Sequence, residues 1–236
     1  MRSKIFNSKA YQVFDYICRL IILNILLIGC SFSIFLIITN IFKDLKEIYQ
    51  LLLFIPSALT LMPSILSVFG VIKSYEIEGT TGILKEYFRC FKKYYLKSLL
   101  LSIILIVYII LMGNSYAYFD SMKTSGIGYL IGYLLTISFI LISIICFIHL
   151  PLTMIYFDDL KLKHYIKLSF IFAFKDLGLT IVLTILLVMS IILSYYFNLY
   201  LLLISFSLTI FLIVKLTKSK YIKISERNKN HEENND

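Results

Sequence analysis

Charge is scarce in this sequence: 16% of its 236 residues are Asp, Glu, Lys or Arg, against about 25% in soluble domains. Where charge is missing matters more than how much. Residues 20–42, 51–72, 98–118, 127–156 and 177–214 contain none at all. Ion-coupled pumps and proton relays place ionisable groups inside their spans, so this distribution argues against both. Paired cysteines are also missing. Cys18, Cys30, Cys90 and Cys146 form no CxxC and have no histidine at metal-ligand spacing, which excludes a disulfide framework or a zinc site of familiar spacing. There is no Walker A loop, HExxH, GxSxG or glycine-rich dinucleotide fingerprint. The chain is therefore expected not to be an enzyme and to need no cofactor.

What is present is apolar: 59% of residues are hydrophobic and mean hydropathy is +0.87. Soluble domains carry roughly 45–50%, so the excess needs lipid as a second solvent. In the first block, 20–42, 16 of 23 residues are Leu, Ile or Phe. On the insertion scale they contribute about −5 to −10 kcal/mol, which Asn24 and Asn40 cannot offset. Leu27-Ile28-Gly29-Cys30 resembles a lipoprotein cleavage box, but the apolar run continues to Phe42, as in a retained helix. Further blocks follow at 51–72, 98–118 and 127–156. The last of these is about 45 Å long as helix, against a hydrocarbon core of about 30 Å, so it must tilt, protrude or bend near Pro151. Residues 177–214 are too long for one crossing. Asn198, among Tyr195, Tyr196 and Tyr200, reads as a turn at an interface between helices at 177–196 and 199–214.

The expected fold is all-α, a polytopic membrane protein of about six transmembrane helices. Assigning the intervening segments to alternate sides puts 20 of the 23 Lys and Arg on one side and 3 on the other. By the positive-inside rule the rich side, with both termini, is cytoplasmic. Residues 1–220 form one transmembrane domain, and 221–236 are read as a polar, disordered tail. The net charge of +9 lies in short segments between apolar runs, so the expected partner is a bilayer with anionic headgroups and not nucleic acid.

Three local patterns stand out. Residues 85–97 place aromatics at steps of three and four, with Lys85, Arg89, Lys92 and Lys93 opposite them. This predicts an amphipathic helix in the headgroup plane, with docking to a partner protein as the alternative. A shift of 78 residues pairs Lys85 with Lys163, Tyr87 with Tyr165, Lys97 with Lys175 and Ser102 with Thr180. That is either a repeat of surface helix plus hairpin or the shared composition of two cytoplasmic flanks. In the second block Pro56, Thr60, Pro63, Ser67 and Gly70 alternate steps of four and three along one helix face. Such a face makes a close-packing seam or lines a substrate path. His149 is the one residue within a block whose ordinary pKa lies near neutrality. Without a nearby carboxylate it reads as a packing residue, and Asp158-Asp159, beside Lys161 and Lys163, as a solvated loop.

Leu23-Asn24, Cys30, Pro56, Lys73 and the run Glu86-Tyr87-Phe88-Arg89-Cys90-Phe91-Lys92-Lys93 together resemble the YesL-like bacterial membrane proteins, the DUF624 family. The resemblance covers residues 11–220 and is most distinctive over 23–97. It implies a multi-pass protein of the bacterial plasma membrane associated with carbohydrate uptake and utilisation. A sugar ABC transporter or another membrane protein is the partner it suggests. The alternative function is a small permease with its path along Pro56–Gly70.

Overall fold

The computed structural model describes residues 9–30, 47–79, 82–157, 160–196 and 198–233. All regular structure among them is helical: α1 (Lys9–Cys30), α2 (Glu47–Glu78), α3 (Ile83–Met122), α4 (Ile127–Tyr156), α5 (Leu162–Lys175), α6 (Leu177–Tyr196) and α7 (Asn198–Glu233). Among the described residues α1, α2, α3 and α4 are long and apolar enough to cross a membrane. The bent pair α5–α6 makes a fifth if it counts as one span. α4 and α6 coincide with the expected segments 127–156 and 177–196. The expected first span, 20–42, is described only to Cys30.

α1, α2, α3 and α7 all run beyond their apolar blocks, α3 and α7 the furthest. The segment 85–97 and the block 98–118 are one unbroken helix, α3, of 40 residues or about 60 Å. Residues 83–97 hold no glycine or proline to stop a helix. Ser98 at the junction bonds back to the carbonyls of Tyr94 (2.7 Å) and Tyr95 (2.9 Å), so it stays within the helix. At the C-terminus α7 continues to Glu233, through residues read from sequence as a tail. Ile210, Ile213, Val214, Thr217 and Tyr221 are all buried at helical spacing, so the packed face outlasts the apolar run.

The segment matched to 85–97 by the 78-residue shift behaves differently. α5 ends at Lys175, and α6 leaves at 103° to it. Asp176 sits at the corner with φ −132° and ψ 60°. Asp176 and Gly178 stand where α3 has Ser98 and Leu100, and both are poorer helix formers than leucine. Thr180 Oγ1 donates to the carbonyls of Ala173 and Asp176, each at 3.0 Å, which satisfies backbone that the break exposes.

α2 is the central helix. All of its residues 62–72 except Ile65 are buried, and it packs on α1, α3, α4 and α7. Burial is concentrated toward one end. In α3 every buried residue lies between Glu86 and Ser102, and in α4 all but Thr136 lie between Ile148 and Tyr156. Beyond these stretches Val107, Ile110, Leu111, Leu134, Leu135 and Phe139 face outward. There α3 and α4 form a hairpin, held where Tyr108 and Ser143 share a 2.5 Å hydrogen bond and where Gly132 meets the ring of Phe119. At its turn Lys123 donates to Asp120 at 2.7 Å, a contact that raises the lysine's pKa.

The well-packed end is also the basic end. Arg19 lies over the Tyr75 ring (4.7 Å), Lys73 donates to the carbonyl of Ile155 (2.5 Å), and Lys97 lies over the Tyr165 ring (5.5 Å). Lys220 pairs with Asp176. These contacts join the segment before residue 20, segments 73–97 and 157–176, and the stretch after 214.

Candidate functional site

The basic end is built around helix C-termini. The last carbonyls of a helix lack intrahelical partners and carry partial negative charge, so they attract cations and hydroxyls. α4 ends in this way. Ile155 O accepts from Lys73 of α2, Tyr156 O from Ser225 of α7 at 3.1 Å, and Phe157 O from Tyr165 of α5 at 2.9 Å. Near the end of α2, Lys218 of α7 donates to the carbonyl of Glu76, and Tyr16 donates to the Glu76 carboxylate at 3.0 Å.

Tyr221 is the hub of this end. It is 1% exposed, with ring centroids 4.7 Å from Phe172 and 5.3 Å from Tyr156. Burial pushes its phenol pKa up, so the hydroxyl remains a donor. His149, also 1% exposed, lies between Tyr221 Oη at 2.8 Å from Nδ1 and Thr180 Oγ1 at 2.9 Å from Nε2. The proton arrangement follows from counting. Thr180 spends its single hydroxyl proton on the carbonyls at the α5–α6 corner, so its oxygen accepts from Nε2–H, and Nδ1 accepts from Tyr221. A neutral imidazole thus ties α4 to α6 and α7 with both nitrogens engaged. Beside it opens a recess of about 310 Å³, with Lys175, Lys220 and Lys223 at its rim and His149 and Tyr221 at its floor.

Lys85, Arg89, Lys92 and Lys93 are all exposed on the first turns of α3. They are more than a bare charged face. Arg89 pairs at 2.6 Å with Glu86, a buried residue whose carboxylate also accepts from Ser74 of α2 at 2.9 Å. On the inner side of the same helix Tyr87 is fully buried and shares a 2.6 Å hydrogen bond with Ser64. Its counterpart Tyr165 is buried in the same way, bonded to Phe157 O.

Along the second-block face, Pro56 is exposed, Thr60 is half-buried, and Pro63, Ser67 and Gly70 are buried. Thr60 donates to the last carbonyl of α1, at Cys30. Pro63 has no N–H for the carbonyl of Leu59, and Ser102 of α3 reaches that oxygen at 3.5 Å. Ser67 donates to Pro63 O at 2.7 Å, and Gly70 abuts Cys90 of α3. Asp158 and Asp159 lie outside the described residues, and His149 is instead oriented by Tyr221 and Thr180. Sequence reading missed Tyr221 because it lies beyond the last apolar run. The spacing 210, 213, 214, 217, 221 was the signal that could have found it.

No family model, curated protein or solved structure matches this chain.

Proposed function

We propose that the chain is a non-catalytic accessory protein of the bacterial plasma membrane, with six crossings and both termini cytoplasmic. In this reading it works beside a sugar ABC transporter and docks through the basic start of α3. The observation that carries the reading is the convergence of the four basic segments at one end of the bundle, with outward-facing apolar side chains beyond. Each of α1, α2, α3, α4, α6 and α7 has one end there, the pattern expected of six alternating passes.

The continuous α3 helix bears on which partner its charges meet. Lys85 and Lys97 are twelve residues apart on one axis, about 18 Å, and the Debye length at physiological salt is about 8 Å. If Lys97 stands at headgroup level and α3 continues along the membrane normal, Lys85 lies about two screening lengths away. The outer charges are then better placed for a protein than for lipid. The carbohydrate association rests on the resemblance over residues 23–97. Non-catalytic action is supported by His149, whose two nitrogens are both bonded within the fold. A path along Pro56–Gly70, the alternative, would need water at Ser67, which is 0% exposed.

The test is recovery of partners in mild detergent. Wild-type chain should retain a transporter subunit, and K85E/R89E should lose it while the chain still accumulates in the membrane. Recovery of only the chain itself, under conditions that hold known membrane complexes together, would sink the proposal.

A further inference from the structure

The recess at the α5–α6 corner combines two kinds of lining. Its rim carries Lys175, Lys220 and Lys223, while Phe172, Leu179 and Ile224 supply apolar wall. Lys220 is matched by Asp176, whereas Lys175 and Lys223 form no ion pair among the described residues. Among the described residues the lining therefore carries three lysines against one carboxylate, a net double positive charge beside apolar side chains. At about 310 Å³ it sits at the small end of ligand pockets, which run from about 300 to 1,000 Å³.

Its surroundings extend the same chemistry. The 103° corner puts the recess where basic α5 gives way to uncharged α6. Leu177 and Ile181 at the start of α6 face outward, as do Ile166, Phe170 and Phe174, at steps of four along α5. With α6 along the membrane normal, α5 runs close to the membrane plane, with an apolar face for the acyl region and lysines at headgroup depth. A soluble phosphate would use the lysines and gain nothing from this apolar border, whereas a lipid would use both.

We propose that the recess between Lys175 and Lys223 binds the phosphate of an anionic phospholipid, with its acyl chains against the exposed start of α6. The phosphate accepts from the two ammonium groups in charge-assisted hydrogen bonds, and the glycerol region lies along Leu179 and Ile224. The lipid then staples α5 and α6 to α7 across the corner that Asp176 breaks. This inference rests on the membrane reading and goes beyond it by naming a discrete site.

Native mass spectrometry of the full chain released from detergent, with phosphatidylglycerol and phosphatidylcholine added in turn, reads the site directly. Wild type should retain one phosphatidylglycerol and no phosphatidylcholine. K175Q/K223Q should bind it about tenfold or more weakly, K175R/K223R should keep it, and K123Q at the far hairpin should change nothing. Equal retention by the double glutamine variant, or equal retention of phosphatidylcholine, overturns the site. Release of the lipid by inorganic phosphate at matched concentration overturns the lipid assignment in favour of a free-phosphate site. Membrane residence is read separately by resistance to alkaline carbonate extraction. A chain that resists extraction but shows no lysine-dependent retention refutes this site alone.

Discussion

Gly70 marks a point of close approach between α2 and α3. A Cβ there would lie 2.7 Å from Cys90 Sγ and 3.2 Å from Cys90 Cβ, inside normal contact. G70V should therefore cost about 1–3 kcal/mol by overpacking, seen as a lower melting temperature in detergent. Adding C90A to G70V should restore part of the loss, because it removes the atom that is struck. A G70V protein that melts like wild type would refute the close approach. At this scale the sequence was half legible. The steps of four and three placed Pro63, Ser67 and Gly70 on one face, but nothing in them named Cys90 or Tyr87 as the opposing surface. Which helix lies across a face is set by tertiary packing, and a single chain's periodicity carries no record of it.

Among the elements, α3 and the α5–α6 pair show how similar sequences diverge. Both begin with lysines and a buried tyrosine and both lead into an apolar run, yet one is a continuous rod and the other turns through 103°. The bounds of α4 and α6 could be read because Gly126, Asp176 and Asn198 punctuate them. The continuity of α3 could not, since an amphipathic stretch followed by an apolar one contains no mark of whether the axis bends between them. α7 is the reverse case, its apolar run ending at Val214 while its buried face carries on to Tyr221. Ending the chain after residue 217 removes Tyr221 from the cluster with Phe172, Tyr156 and His149, whereas ending it after 226 keeps it. The shorter form should lose about 3–5 kcal/mol, the scale of deleting a large buried aromatic, and the longer form should melt near wild type. Equal melting of the two would show that Tyr221 is not a support of the fold.

For the whole molecule, the gathering of basic segments at one end makes topology the decisive measurement. Alkaline phosphatase fused at Lys123 or Asn198 should be active, and fused at Lys163 or Lys218 inactive, because that enzyme matures only outside the cytoplasm. Activity at Lys163 or Lys218 would break the six-crossing reading. The all-helical class and the long apolar helices were legible at this scale because they depend on composition and block length, which need no knowledge of contacts. The recess and the His149–Tyr221–Thr180 bridge were not, since they join residues 31 and 72 positions apart in the chain.

The α3–α4 turn has a bearing on how such a chain would enter a bilayer. A hairpin that inserts as a unit must carry its connecting turn through hydrocarbon, and each isolated lysine at the bilayer centre opposes that by about 2.5–3.5 kcal/mol. The turn's one cation, Lys123, is bound to Asp120 at 2.7 Å. If that pair is already formed during passage, the tip crosses as a neutral dipole. The two long apolar helices behind it would then drive translocation against the desolvation of one paired dipole, a smaller cost than two separate ions impose.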